Sequence, residues 1–314
     1  MSVSFTLREQ GRPGSALPYA TLAAEILASS EQRPESRLRA LSDQAAVLRM
    51  LGRYKEAKEL AFQVLEQREK LLGPSHPDTL ASLNNLGFIY RNQGEYDLSE
   101  KILRQAVSAY ETNVGKAEKQ LMTTLINLGG TLQKQRKYEE AEETFRRVLK
   151  WRKEHLDPSD ASIFSAVSNL GTVLQQQKKL EDAWEAHTEA FTGRVRALGR
   201  LHPTTLRTQM HIAGILQLQG HYDDAESELR EVLDFYIKIL GEEHPHAITV
   251  RRNLASLMHV QERYQEAEEM SRKAFWLARK VLGEEHPDTV AAKKHADSLR
   301  AWIKTNTRPA DQGL

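Results

Sequence analysis

Residues 72–100 read LGPSHPDTLASLNNLGFIYRNQGEYDLSE, and this stretch decides the fold. Leu80, Leu83, Leu86, Ile89 and Tyr90 recur at helical spacing, which predicts a first helix, A, over 78–93. Asn92, Gln93 and Gly94 end it, because glycine takes the left-handed cap conformation cheaply. A second helix, B, then starts at Tyr96 and runs to about residue 114. Ahead of A stands Leu-Gly-x-x-His-Pro. Its glycine stops the preceding helix, and its proline suits the first position of the next. Asp78 adds a favourable charge in the first turn.

The same unit returns every 42 residues. An aromatic or leucine after the turn stands at Tyr54, Tyr96, Tyr138, Leu180, Tyr222 and Tyr264. Three residues on come Ala57, Ser99, Ala141, Ala183, Ala225 and Ala267. A polar position within A holds Asn85, Asn127, Asn169, His211, Asn253 and His295. The joint holds Gly73, Gly115, Asp157, Gly199, Gly241 and Gly283. The glycines are expected to end their B helices as Gly94 ends A. Four positions keep one period with no insertion between 43 and 295, so the chain carries an internal repeat. Gly87, Gly129 and Gly171 sit inside A helices, where glycine costs about 1 kcal/mol against alanine. They mark tight packing of A on B. His-Pro is missing at 115–121 (GKAEKQL) and 157–163 (DPSDASI), so the third and fourth repeats are expected to join differently.

These landmarks resemble the tetratricopeptide repeat: Leu83, Leu86, Gly87, Tyr90, Ser99, Leu103 and Ala106 carry its signature. The usual period is about 34 residues. The eight extra ones, with LGPSHPDT (72–79), LGRLHPTT (198–205) and LGEEHPDT (282–289), resemble the kinesin light chain variety. The resemblance implies an all-α fold, a right-handed α-solenoid of helix–turn–helix repeats over 36–303. An N-terminal segment, 1–35, would carry a capping helix within 15–30, and 304–314 would form a flexible tail. Kinesin light chain itself has a long heptad coiled coil ahead of its repeats. The 35 residues here show no sustained heptads, so a fragment, a stand-alone repeat protein or an engineered array is expected instead.

Composition narrows the function. With 40% hydrophobic and 28% charged residues and a net charge of +1, the chain is neither disordered nor a global nucleic-acid binder. It has no cysteine, which removes disulfides, thiolate metal sites and cysteine nucleophiles and suits a cytoplasmic location. No run of about 18 apolar residues suggests a membrane span. No phosphate loop, Gly-x-Ser-x-Gly, His-Glu-x-x-His or dinucleotide motif is present, and no cofactor is implied.

In a stack of such units the A helices line the concave surface. By resemblance to peptide-binding members, Asn85, Asn127, Asn169 and Asn253 form a ladder that grips ligand backbone, with His211 and His295 at the same position. An amide both donates and accepts, so it can hold an extended chain of any sequence. The plain alternative is that these asparagines only bond neighbouring helices. Around them, Asn84, Phe88 and Arg91 line the N-terminal half; Arg207, Arg252 and Lys294 accompany the two histidines. Arginine suits planar carboxylates. The partner is therefore expected to be an acidic peptide or a chain terminus, against the alternative of a solvated basic face. A scaffold or adaptor follows, with self-association through the array ends as an added possibility. The competing reading is a small-molecule binder or enzyme with a pocket near His211 and His295, where His259 and Tyr90 would assist. His244 and His246 are the nearest approach to a metal pair. Arg146, Arg147, Lys150, Arg152 and Lys153 around Trp151 read as a solvated face of a B helix.

Overall fold

The structure, a computed structural model, describes residues 3–9, 13–28, 34–112, 117–284 and 287–306. Every described element is an α-helix. Gly115, His286 and the tail from 307 lie outside the described residues. The chain divides into two compact units, Met1–Glu154 and His155–Leu314.

The first unit opens with α1 (Val3–Glu9) and α2 (Pro13–Ala28). α2 packs on α3 (Pro34–Met50) through Ala16, Ala20 and Val47, and Gln44 donates to Thr21 at 3.0 Å. Then come α4 (Tyr54–Leu72), α5 (Pro77–Gln93), α6 (Tyr96–Thr112), α7 (Glu118–Lys134) and α8 (Tyr138–His155). The second unit holds α9 (Ala161–Gln176), α10 (Leu180–Leu198), α11 (Pro203–Gln219), α12 (Tyr222–Leu240), α13 (Pro245–Val260), α14 (Tyr264–Leu282) and α15 (Pro287–Asn306). Odd numbers from α3 are A helices and even numbers are B helices. Within each unit, successive helices pack on one another.

The packing explains the small residues. Ala57, Ser99, Ala141, Ala183, Ala225 and Ala267 are all fully buried. A methyl added to Gly87 would lie 2.6 Å from Leu103, and one on Gly129 would lie 2.8 Å from Phe145. Each glycine therefore makes room for a large side chain 16 residues later. Burying such a side chain stabilises the fold by about 1.5–3 kcal/mol.

The joints are locked more firmly than a stop and a start. His76, His202 and His244 are N-caps: each Nδ1 accepts the backbone N–H two residues on, at 3.2, 3.3 and 3.2 Å. In α9 the cap is Asp160, whose carboxylate accepts from the Ser162 N–H at 2.8 Å. Thr79 and Thr205 donate back to the carbonyls of Gly73 and Gly199 at 2.9 and 3.0 Å. Buried Arg68 donates to the Asp78 carbonyl and Ser82, and buried Arg194 repeats this on the Thr204 carbonyl and Thr208.

One expectation needs correction. Gly94 and Gly220 end A helices in the left-handed conformation, at φ 81° and 84°. Gly73, Gly199, Gly241 and Gly283 do not end B helices the same way. They combine φ of 87–90° with ψ of 158–166°. That extended mirror region is essentially open to glycine alone, and it sends the chain away from the helix toward the joint.

Candidate functional site

The ladder positions fall on one helix class, as the register requires, and all are half-buried. Asn127 is engaged: its Nδ2 donates to Asn84 Oδ1 at 2.8 Å. Asn85, Asn169 and Asn253 have no hydrogen-bond partner among the described residues. Three half-buried amides thus have donors and acceptors that no described residue engages.

The two histidines of the ladder behave differently. His211 stacks flat on His187, with ring centroids 4.8 Å apart and planes 8° from parallel. His187 is 0% exposed, and neither ring nitrogen has a hydrogen-bond partner. It occupies the packing position of Leu103, Phe145 and Leu229, so a polar ring stands where other repeats bury apolar ones. Burial, then the neighbouring His211 and Arg194, push His187 down to about 3. Burial, then Arg207 and Arg194, push His211 down to about 4. Both rings are neutral at pH 7.

His295 makes ordinary bonds. Its Nδ1 pairs with the Ser271 hydroxyl at 2.8 Å, and its Nε2 with His259 Nδ1 at 3.2 Å. Burial, then His259 and Arg252, lower its pKa. His259 and His295 therefore meet as expected, but His211 is paired elsewhere, and the three do not form one constellation. Tyr90 belongs to the first unit, where Lys58 Nζ lies 5.5 Å from its ring.

A sequence signal for these pairs existed. Twenty-four residues before His211 and His295 stand His187 and Ser271, both polar. The same offset from Asn85, Asn127 and Asn253 gives Ala61, Leu103 and Leu229.

Arg207 is exposed and forms no ion pair among the described residues. Its charge acts on His211, Arg194 and His246. Arg252 lies close enough to His295 to disfavour its protonation. Lys294 is exposed beside His295. Arg194 has only neutral partners, and burial followed by Arg207 push it down to about 10. Positive charge and imidazole thus collect around α10 and α11 with no carboxylate bonded to Arg194 or Arg207. In the basic run on α8, Arg146 pairs with Glu142, Arg147 with Glu111, and Trp151 donates to Glu118. His244 and His246 have rings 5.0 Å apart, but His244 Nδ1 is spent on its cap. No group of three His, Asp or Glu residues among those described is placed to hold a metal.

The tetratricopeptide repeat model matches residues 36–112, 120–194, 162–238 and 204–275. The chain belongs to the tetratricopeptide repeat family. Its architecture is an all-α solenoid of such repeats, each 42 residues long. Solved tetratricopeptide structures agree in fold. A tetratricopeptide repeat protein from Parabacteroides merdae is 13% identical, covers 95% of this chain and 96% of its own, and superposes with a TM-score of 0.62. BtubC (BKLC) from P. vanneervenii is 16% identical, with coverage of 74% and 94% and a TM-score of 0.61. A Rap protein complexed with Competence and Sporulation Factor is 11% identical, with coverage of 92% and 81% and a TM-score of 0.60. No curated protein matches the sequence significantly. No described helix is long and apolar enough to cross a membrane.

Proposed function

We propose that this tetratricopeptide repeat protein is an interaction scaffold that takes an extended, acidic segment of a partner protein along its A helices. The observations that support this are the unengaged half-buried amides of Asn85 in the first unit and of Asn169 and Asn253 in the second, and, on α11 of the second unit, Arg207, which is exposed and forms no ion pair among the described residues. Amides hold backbone without regard to sequence, and arginine adds the preference for acid. The Rap protein in complex with its factor offers a precedent on the same fold. A cytoplasmic role fits the absence of cysteine.

Capture from the native cell, read by mass spectrometry, tests the proposal with two variants. Arg207→Glu with Arg252→Glu is expected to lose acidic partners through charge reversal. Asn85→Ala with Asn169→Ala and Asn253→Ala is expected to lose them through the backbone grip. An identical set of captured proteins in wild type and both variants would refute it.

A further inference from the structure

Of the four tryptophans, three have companions. Trp151 donates to Glu118, Trp276 lies against Phe275 and Arg279, and the Trp302 ring centroid is 3.6 Å from that of Tyr264. Trp184, on the B helix α10, is 41% exposed and has no ring, cation or hydrogen-bond partner among the described residues. A single exposed ring is ordinary. The place of this one in the repeat is not.

The next repeat shows what this place holds elsewhere. Trp184, Thr188, His221 and Asp224 stand 42 residues before Glu226, Arg230, Arg263 and Glu266. Those four form one ion-pair cluster: Glu226 bonds Arg230 at 2.6 Å and Arg263 at 2.5 Å, and Arg263 also bonds Glu266 at 2.6 Å. Glu100, Arg104, Lys137 and Glu140 form the same cluster in the first unit. At α10 both permanent cations are gone, and an indole replaces the central carboxylate. Asp224 remains, exposed and without an ion pair among the described residues, as are Glu181, Asp182 and Glu185 on α10 and Asp223 on α12. Against them stand Lys178 and Lys179 in the turn, so acid predominates. Leu180 and Leu218 occupy the places of Tyr264 and Trp302, which touch in the last repeat. Leu180 precedes Trp184 by one turn and Leu218 is exposed, so apolar surface continues from the ring.

We propose that Trp184 and Asp224, with the carboxylates around them, dock an arginine-bearing basic segment of a partner protein on α10 and α12. An incoming guanidinium takes the place that Arg263 holds in the next repeat, over the indole face and against Asp224. Tryptophan is the best of the aromatic rings for a cation, and the planar fork of arginine matches a carboxylate. Tryptophan and arginine are also the residues that most often dominate an interface. The acidic rim repels nucleic acid and anionic lipid, whose charge is negative. This surface lies on B helices, and its charge is opposite to that of Arg207. It is a second docking face of the scaffold and does not rest on the reading of the A helices.

Calorimetric titration of the full chain with acetyl-hexa-arginine and acetyl-hexalysine tests it. The arginine peptide is expected to bind, and the lysine peptide to bind several-fold more weakly, since an ammonium offers no fork. Trp184→Ala should weaken hexa-arginine binding about tenfold or more. Trp184→Glu with Thr188→Arg and His221→Arg copies the cluster of the next repeat, so this variant keeps the fold. Its melting temperature should stay level or rise while binding is lost, because the chain's own cations then fill the place. No binding of hexa-arginine, affinity within twofold of the parent in either variant, or equal affinity for hexalysine overturns the proposal. So does a mass that rises with concentration in the parent but not in Trp184→Ala, without peptide binding, which assigns the ring to a second copy of this chain. Arg207→Glu with Arg252→Glu should bind hexa-arginine at least as tightly as the parent. That variant therefore tests the A helices alone, and either face can fail while the other stands.

Discussion

Arg136, Lys178 and Glu262 hold φ of 62°, 64° and 61° in the A–B turns, where Gly52, Gly94 and Gly220 serve other repeats. A side chain in that conformation costs about 1 kcal/mol. Lys178→Gly is therefore expected to raise stability by about 1 kcal/mol, read as a higher urea midpoint. The turn itself was legible in the sequence, because three repeats spell it with glycine. The 24-residue offset from His211 marked His187 as polar, but its unpartnered burial was not legible, because no spacing reveals whether a ring nitrogen finds a partner. Its chemistry sets a pH dependence. The folded value of about 3 lies below the ordinary 6.5, so the unfolded chain binds more protons between those limits. Stability is full above pH 6.5 and falls as pH drops through the window, by up to about 1.4 kcal/mol per unit. His187→Leu, which copies Leu103 and Leu229, should flatten the acid limb of a denaturation series measured from pH 7 to pH 4. An unchanged slope would show that the buried ring does not govern it.

At the scale of the helix, the capping histidine carries the joint. Leu-Gly-x-x-His-Pro was readable as a stop followed by a start, but the imidazole was read only as the residue before proline. Histidine is outside the usual capping set of Ser, Thr, Asp and Asn, so nothing in its identity announced the role. Asp160 was the clue, since it fills the same place with a customary cap. His202→Ala is expected to cost about 1 kcal/mol of stability, and His202→Asp to retain most of it. Amide exchange in the first turn of α11 separates the two. The locking arginines Arg68 and Arg194 were hidden for a related reason. A basic residue near a helix end reads as solvated until its burial is known.

In the whole molecule, titratable histidine is unevenly spread. Of the eleven histidines, only His76 precedes residue 155. Those with lowered values, His187, His211, His246 and His295, all lie in the second unit. Hydrogen exchange followed from pH 7 to pH 4, corrected for intrinsic rates, should show protection falling in α10–α11 before α4–α6. Equal loss in both would contradict this. The 42-residue register made the array plain, because every repeat votes on it. The division at Glu154–His155 was not legible, because the joints without His-Pro, at 115–121 and 157–163, include one that lies within the first unit. The His187–His211 stack has a last consequence, for how such a protein can be recombined. Its members belong to neighbouring repeats, B of one and A of the next, as do Ser271 and His295. Shuffling at the proline joints would part each couple and strand a polar ring in an apolar cavity. Crossovers placed in the A–B turns would carry both members together. The heritable module is therefore a B helix with the A helix that follows it, half a period out of step with the repeat as it is usually written.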